Sequence, residues 1–448
     1  MDYKGKKVLV VGAGLSGVEA TRFLLSKGAH VLLTDTKSRD KLAEHVLALE
    51  KQGVQFMLGN VLPEKVDWDM VVASPGVPPG IPLYRMSREA GVEIVGEIEL
   101  AWREAHAPFI GITGTNGKTT TTALTAYVLE QGKKDILLGG NIGQPLVSSI
   151  GAFHGDYVVA ELSSFQLESC QDFRCKIAVF LNLSPDHLDR HGTLEAYGAA
   201  KSRIFANQQG EDTAIFNDDD AYVRALGDVL PSQVLRFSLT HKVQNGMYLA
   251  DGRIFFVQDG QERYDFPASS IFIKGKHNIA NAMAAALAAH VAGVDWETIS
   301  HALATFPGVP HRLEFVCQKD GVTYVNDSKG TNPDSTTQAL LAYDEHMILL
   351  LGGRNKGVDM HPLLQLVKSR DVQPIFFGEA LPEFKRAADE LGMKNYVLAD
   401  DFQDAVLRGA KLAHPGDVVV LSPACTSWDA FPNFEARGDR FKEIVREL

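Results

Sequence analysis

The run Gly111-Ile-Thr-Gly114-Thr115-Asn116-Gly117-Lys118-Thr119-Thr120 has the residue types for phosphate chemistry. It follows an apolar stretch, 108–111, that reads as a strand. It opens a helical pattern from Thr119 to Glu130, with Gly132 placed to end it. In such a turn the backbone N–H groups wrap phosphate oxygens. The Lys118 ammonium adds a point charge, and the Thr119 hydroxyl is a ligand for Mg²⁺. Ile112 stands where the common form of this loop has its first glycine. Asp156 to Glu161 reads as a buried strand with an acid at its carboxyl end. Parallel sheets present ligands there, so Glu161 suits Mg²⁺. Asn141 ends a neighbouring strand and is placed to hydrogen-bond a phosphoryl oxygen. His187, after another strand end, is a candidate ligand for a second metal ion. Lys201 shares one helix face with Leu194, Tyr197 and Ile204. Burial there lowers the lysine pKa, and a neutral amine reacts with CO₂ to give a carbamate, an anionic metal ligand. Snorkelling of the lysine head to water is the alternative.

A second glycine turn, Gly12-Ala-Gly14-Leu-Ser-Gly17, follows a strand and opens a helix. Asp35 ends the next strand, 18 residues past Gly17. Alone this reads as a dinucleotide site with Asp35 on a ribose hydroxyl. The same turn cradles any pyrophosphate, and the chain shows no hydride-transfer constellation. Another nucleotide-linked substrate is the favoured reading, with NAD and a purely structural turn as alternatives. Ser74-Pro-Gly76, at the end of a further strand, would line the same crevice.

The elements that position these residues alternate. Apolar runs and helical patterns succeed one another along the 448 residues, which predicts α/β layering with mostly parallel sheets. Length alone suggests about three domains. The first, 1–96, reads as a Rossmann-like unit with strands at 8–12, 30–35, 70–74 and 93–95 and helices at 15–27, 39–52 and 82–90. The second, 97–308, reads as a P-loop-type ATPase domain with a mostly parallel sheet. Turn signals at Asn245, Asp251 and Asp259 predict a small antiparallel β appendage within 214–275. An Ala-rich helix over about 278–292 follows, and 306–310 reads as a linker. The third, 309–448, reads as Rossmann-like again, with strands near 322–326, 347–352, 374–377, 396–399 and 418–422. The net charge of −12, with no Lys/Arg-rich run, argues against nucleic acid or an anionic membrane as partner. Four scattered cysteines, 170, 175, 317 and 425, form no C-x-x-C pair and fit a reducing cytoplasm. A strand begins almost at the N-terminus, which predicts no secretory signal. No apolar stretch reaches the ~20 residues of a membrane span.

Together the motifs resemble the Mur ligase family, ATP-dependent amide-forming enzymes of peptidoglycan precursor synthesis. The resemblance runs along the whole chain. It is carried by Thr113 to Thr119, Glu161-Leu-Ser-Ser164, Asp186-His-Leu-Asp189 with Lys201, Gly275-Lys-His-Asn278 and His311-Arg312. Glu161 to Glu168, Asn326 to Asn332 and Ser422 to Asp429 leading to Phe434 are similar to the D-glutamate-adding members. The resemblance implies UDP-N-acetylmuramoyl-L-alanine at Gly14, Leu15, Ser16, Asp35, Thr36, Ser74 and Gly76; Lys37 stands where some members carry arginine. It implies ATP between the second and third domains, on Gly114 to Thr120, Asn281, Arg312 and Asp327. Lys118, Asn141, Glu161, His187 and Lys201 would be catalytic. Two Mg²⁺ ions would use Thr119, Glu161, His187 and a carbamate on Lys201. D-Glutamate would lie on Lys329, Thr331, Lys356, Ser427, Trp428 and Phe434. The implied enzyme is a cytoplasmic monomer acting on small molecules. Another Mur ligase, a folylpolyglutamate synthase-like ligase and a nucleotide-regulated switch protein are the rival readings.

Overall fold

The computed structural model describes residues 2–227, 229–370 and 372–448. The chain divides into two compact units, Met1–Ile271 with Ile279–Ala304, and Phe272–Asn278 with Thr305–Leu448.

The first unit holds two sheets. β1 (Lys7–Val11), β2 (His30–Asp35), β3 (Gln55–Leu58), β4 (Met70–Ala73) and β5 (Glu93–Gly96) form an all-parallel sheet in the order β3-β2-β1-β4-β5. Its central strands are buried on both faces, so they read as continuous runs of Val and Leu without alternation. The second sheet runs β14-β13-β12-β11-β10-β9-β6-β8-β7. Its members are β6 (Phe109–Thr113), β7 (Ile136–Gly140), β8 (Tyr157–Glu161), β9 (Cys175–Phe180), β10 (Thr213–Asn217), β11 (Gln233–Ser238), β12 (Gly246–Ala250), β13 (Arg253–Gln258) and β14 (Gln261–Pro267). The helix Glu97–Glu104 joins the two sheets, and its acids face inward. Glu97 accepts from Val147 N at 2.8 Å, and Glu99 accepts from Gln171 N at 2.8 Å and Phe173 N at 3.0 Å. Arg103 pairs with Glu99 at 3.0 Å and Glu93 at 2.6 Å. These carboxylates are hydrogen-bonded, which is what permits their burial.

The second unit has one sheet, β15-β16-β20-β17-β18-β19. It comprises β15 (Glu314–Lys319), β16 (Val322–Asn326), β17 (Met347–Gly352), β18 (Val372–Phe377), β19 (Val397–Leu398) and β20 (Val418–Ala424). Only β15 is antiparallel to its neighbour. Apolar clusters cover both faces of this sheet.

Three local expectations need correction. The antiparallel region is narrower than 214–275: β10 and β11 continue the parallel sheet, and only the β12–β14 meander is antiparallel. Alternation along a strand reports which side chains are buried, not the strand's direction, so the pattern alone could not separate the two. The expected helix over 39–52 is broken into a 3-10 turn Arg39–Lys41, a four-residue helix Glu44–Leu47 and a second 3-10 turn Ala48–Gln52. β3 and β15, at sheet edges, carry too few buried residues to have shown as strands.

The first glycine turn depends on close backbone approach. Gly12 has φ 102°, and a Cβ there would sit 2.8 Å from Ser74 Oγ. A Cβ on Gly17 would overlap the Gly12 carbonyl oxygen, whereas Gly76 has open space around it. Gly17→Ala should therefore cost about 1–3 kcal/mol of stability by overpacking, with Gly76→Ala near wild type. Chemical denaturation of the two variants checks this; equal midpoints would contradict the close approach.

Candidate functional site

The phosphate loop between β6 and the helix Lys118–Gln131 is shaped by two left-handed or extended glycines, Gly114 at φ 154° and Gly117 at φ 84°. A Cβ on Gly117 would overlap the Asn281 side chain, so Asn281 closes one wall of the loop. The end of β9 holds the other wall. Thr115 N donates to Asn182 O at 2.9 Å, and Asn116 N donates to Asn182 Oδ1 at 2.8 Å. Asn182 Nδ2 donates back to Asn116 O at 3.0 Å, and Ser184 N donates to Thr115 Oγ1 at 3.0 Å. Lys118 Nζ reaches back over its own loop to Gly114 O at 2.9 Å and Thr115 O at 2.8 Å. Thr119 and Thr120 lie in the first turn of the helix, where N–H groups have no intrahelical acceptor.

Lys201 comes to the same loop from the helix Leu194–Ser202. It is 1 % exposed, and its Nζ donates to Gly114 O at 2.8 Å. The Tyr197 ring lies 4.5 Å from that ammonium. Burial, then the nearby Lys118 charge, push the Lys201 pKa down to about 7. The head does not snorkel to water.

Glu161 ends β8 and is buried. Its Oε1 accepts from Asn141 Nδ2 at 2.8 Å, which unites two of the expected residues. Its Oε2 is buried with no hydrogen-bond partner, a position that suits a cation. His187 precedes the one-turn helix Leu188–His191 with φ 52°, and its side chain is 48 % exposed, 3.5 Å from Asp186. Among the described residues, no three His, Cys, Asp or Glu side chains form a metal cluster by themselves.

At the first sheet, Asp35 accepts from Ala13 N at 2.8 Å and from Lys37 N at 2.9 Å. The carboxylate thus braces the glycine turn as well as facing its crevice. Ser74 Oγ donates to Gly12 O at 3.3 Å, tying the β4 end to the same turn. Gly14, Leu15 and Thr36 are exposed around it, beside a partly exposed Ser16.

In the second unit, Arg312 lies between two residues of positive φ, His311 at 62° and Leu313 at 43°. Its Nε is buried without a hydrogen-bond partner. Asp327 accepts from Ser422 Oγ at 2.7 Å and Leu313 N at 3.2 Å, and burial raises its pKa to about 6. Lys329 lies 5.6 Å from the Phe434 ring, and Lys356 lies 5.7 Å from the ring of Trp428. Ser427 is buried and Trp428 is 60 % exposed. Thr331 N donates to Lys329 O at 2.8 Å.

Sequence reasoning missed the residues that hold these loops. Asn182 and Ser184 grip the phosphate loop. Arg437, 1 % exposed, donates from Nε to Ser328 Oγ at 3.0 Å and from Nη2 to Ser328 O at 2.9 Å and Cys425 O at 3.1 Å. Arg437 sits in a charged terminal helix that reads as solvent-facing, so no local signal marked it.

Residues 6–96 match the family described as Mur ligase MurD-like, N-terminal domain; 112–289 match Mur ligase middle domain; 311–425 match Mur ligase, glutamate ligase domain. The UDP-N-acetylmuramoylalanine--D-glutamate ligase of Pelotomaculum thermopropionicum is 43% identical over 451 residues, covering 100% of this chain and 99% of that protein. The ligase of the same name from Clostridioides difficile is 42% identical, with 100% of each covered. Among solved structures, UDP-N-acetylmuramate-alanine ligase MurC from Thermotoga maritima superposes with a TM-score of 0.58 at 19% identity, covering 99% of each chain. A UDP-N-acetylmuramoyl-L-alanyl-D-glutamate--2,6-diaminopimelate ligase gives 0.60 at 20% identity, covering 99% of this chain and 92% of that one. These two likenesses show the fold.

The buried Lys201 makes a stability prediction. Its pKa is about 7 folded and near the ordinary lysine value of 10.5 unfolded. The unfolded chain therefore binds more protons between those values, and stability should rise with pH across that window and be lost as pH falls through about 7. Lys201→Met should flatten this part of the profile. Urea denaturation at pH 7, 8 and 9 measures it; parallel profiles for the two proteins would contradict the buried charge.

Proposed function

The chain belongs to the Mur ligase family, and on that premise we infer how its residues carry the reaction of the D-glutamate-adding branch. It is an ATP-dependent ligase that adds D-glutamate to UDP-N-acetylmuramoyl-L-alanine in peptidoglycan precursor synthesis. Identity of 43% along the full length to a ligase of that name carries the assignment. No helix among the described residues is long and apolar enough to cross a membrane. We place the enzyme in the cytoplasm as a monomer, with residues 1–96 for the UDP-sugar, 97–308 for ATP and 309–448 for the amino acid.

In this reading Gly14, Leu15, Ser16, Asp35, Thr36, Ser74 and Gly76 take the uridine diphosphate. The open space around Gly14 and Gly76 supports it, because backbone can then approach phosphate closely. Gly114 to Thr120, Asn281, Arg312 and Asp327 take ATP. The L-alanyl carboxylate attacks the γ-phosphorus, ADP leaves, and an acyl phosphate forms. Lys118 offsets charge on the transferring group, and Asn141 fixes the Glu161 carboxylate. The D-glutamate amine then attacks the activated carbonyl, and the tetrahedral intermediate collapses to amide and phosphate. Mg²⁺, when bound, neutralises phosphate charge; Thr119, Glu161, His187 and a carbamate on Lys201 would hold two ions. The unpartnered Glu161 Oε2 fits that role. The lowered Lys201 pKa supports the carbamate, since only the neutral amine adds CO₂.

Lys329, Thr331, Lys356, Ser427, Trp428 and Phe434 would receive D-glutamate. Its two carboxylates match the two lysines and the polar groups beside them.

Phosphate release should require the UDP-sugar and D-glutamate together. L-Glutamate should fail as acceptor, and turnover without any amino acid would overturn the assignment. Lys118→Ala should abolish ADP formation yet bind the UDP-sugar as wild type does, checked by calorimetry; substantial residual turnover would exclude the loop as the catalytic cradle.

Lys356→Ala should raise the D-glutamate KM at least about tenfold, since a charge-assisted hydrogen bond is worth roughly 1.5–3 kcal/mol. ATP and UDP-sugar KM should stay near wild type. A three-substrate kinetic comparison decides it, and an effect confined to ATP would move Lys356 out of the acceptor site.

A further inference from the structure

We propose that His191 is a positioning residue for His187, acting through a side-chain clamp that links the two strand ends of the phosphate-transfer site; the proposal rests on the ligase reading above. The helix Leu188–His191 has a single turn, too short to be stable alone. His187 enters it in the left-handed region, where a side chain is strained and is held only by its surroundings. Those surroundings are specific. The His191 side chain is 3 % exposed, and both its ring nitrogens have partners. Nδ1 lies 3.3 Å from the Glu168 carboxylate, and Nε2 shares a 3.0 Å hydrogen bond with Ser164 Oγ.

A second set of contacts runs in parallel. The Phe165 ring lies 4.9 Å from the His187 ring and 5.6 Å from the His191 ring, stacked on the latter. The Arg190 guanidinium covers the same Phe165 ring at 4.2 Å and pairs with Glu168 at 2.6 Å. Ser164, Phe165 and Glu168 belong to the short helix Ser164–Leu167 and its C-cap, which follow Glu161 directly. His187, Arg190 and His191 all come from the turn after β9. The clamp therefore fixes the distance between the Glu161 strand end and His187. No substrate contact is needed for this role, because the Ser164 and His191 side chains are both buried.

Removing the imidazole should free His187 without unmaking the sheet. His191→Ala should lower kcat about tenfold and leave the D-glutamate and UDP-sugar KM within about twofold of wild type. His191→Gln, whose amide reaches the Nε2 position, should recover activity to within about threefold of wild type. Ser164→Ala combined with His191→Ala should be no worse than His191→Ala alone, since both remove one link. A second readout needs no turnover: Mn²⁺ binding to the enzyme–ADP complex, followed by electron paramagnetic resonance of free Mn²⁺, should weaken about fivefold in His191→Ala. Unchanged kcat or unchanged Mn²⁺ affinity would overturn the proposal. So would a parallel rise in all three KM values with a lowered melting temperature, which would mark a merely structural histidine. If wild type showed no D-glutamate-dependent turnover, the ligase reading would fail, while the Mn²⁺ titration would still test the clamp.

Discussion

Two lysine ammonium groups converge on one backbone oxygen. Lys118 and Lys201, from different helices, both donate to the Gly114 carbonyl, at 2.9 and 2.8 Å. Like charges this close repel strongly away from bulk water, and the Lys201 pKa falls for that reason as well as through burial. Thr115 O takes a second bond from Lys118 at 2.8 Å, and Asp186 and Glu161 offset part of the Lys201 charge. An anion entering the loop, or loss of the Lys201 charge, would relieve the remaining repulsion. The polyphosphate proposed above would supply the first and the proposed carbamate the second, which would turn a cation into an anion near the unpartnered Glu161 oxygen. The rest of the central domain is organised to hold this charge: Asn182 and Ser184 stiffen the loop, and Tyr197 covers the Lys201 head with its ring face.

The glycine turn of the first domain shows why a motif fixes geometry before it fixes a ligand. Gly12 and Gly17 are required by the close approach of β4 and the helix Leu15–Ser26 to the turn. Neither constraint mentions a nicotinamide. Asp35, whose position invites a ribose contact, has both carboxylate oxygens engaged by Ala13 N and Lys37 N. The turn is thus rigid, and its geometry alone does not choose between a dinucleotide and a UDP-sugar. Membership of the Mur ligase family along the whole length is what supports the UDP-sugar proposed above.

Much of this was legible because the informative residues sit at the ends of buried parallel strands. β1, β2, β6, β8 and β17 are apolar runs closed by Gly, Asp or Glu, and these runs stand out in a sequence. The burial of Lys201 was legible from its spacing with Tyr197 and Ile204. What failed was local and physical. The 39–52 segment has helical composition yet breaks into short turns, because only Val46 and Leu49 are buried there and no continuous face packs. The direction of β10 and β11 depends on their neighbours in space, not on their own pattern. His191 stood in plain view beside His187, but its partners Ser164 and Glu168 lie more than twenty residues away.

Arg437 carries the same lesson to the second unit. Burial lowers its pKa to about 10, far above neutrality, so a full positive charge sits inside the unit. Its Nε and Nη2 hold Ser328 and Cys425, while Nη1 is buried without a hydrogen-bond partner. Ser328 precedes Lys329, and Cys425 lies two residues before Ser427. One buried guanidinium therefore ties the loop of Ser328 and Lys329 to the loop of Cys425 and Ser427. A lysine could not replace it, because one ammonium lacks the planar fork that reaches a hydroxyl and two carbonyls on separate loops. These two loops are thus held from below by one buried side chain.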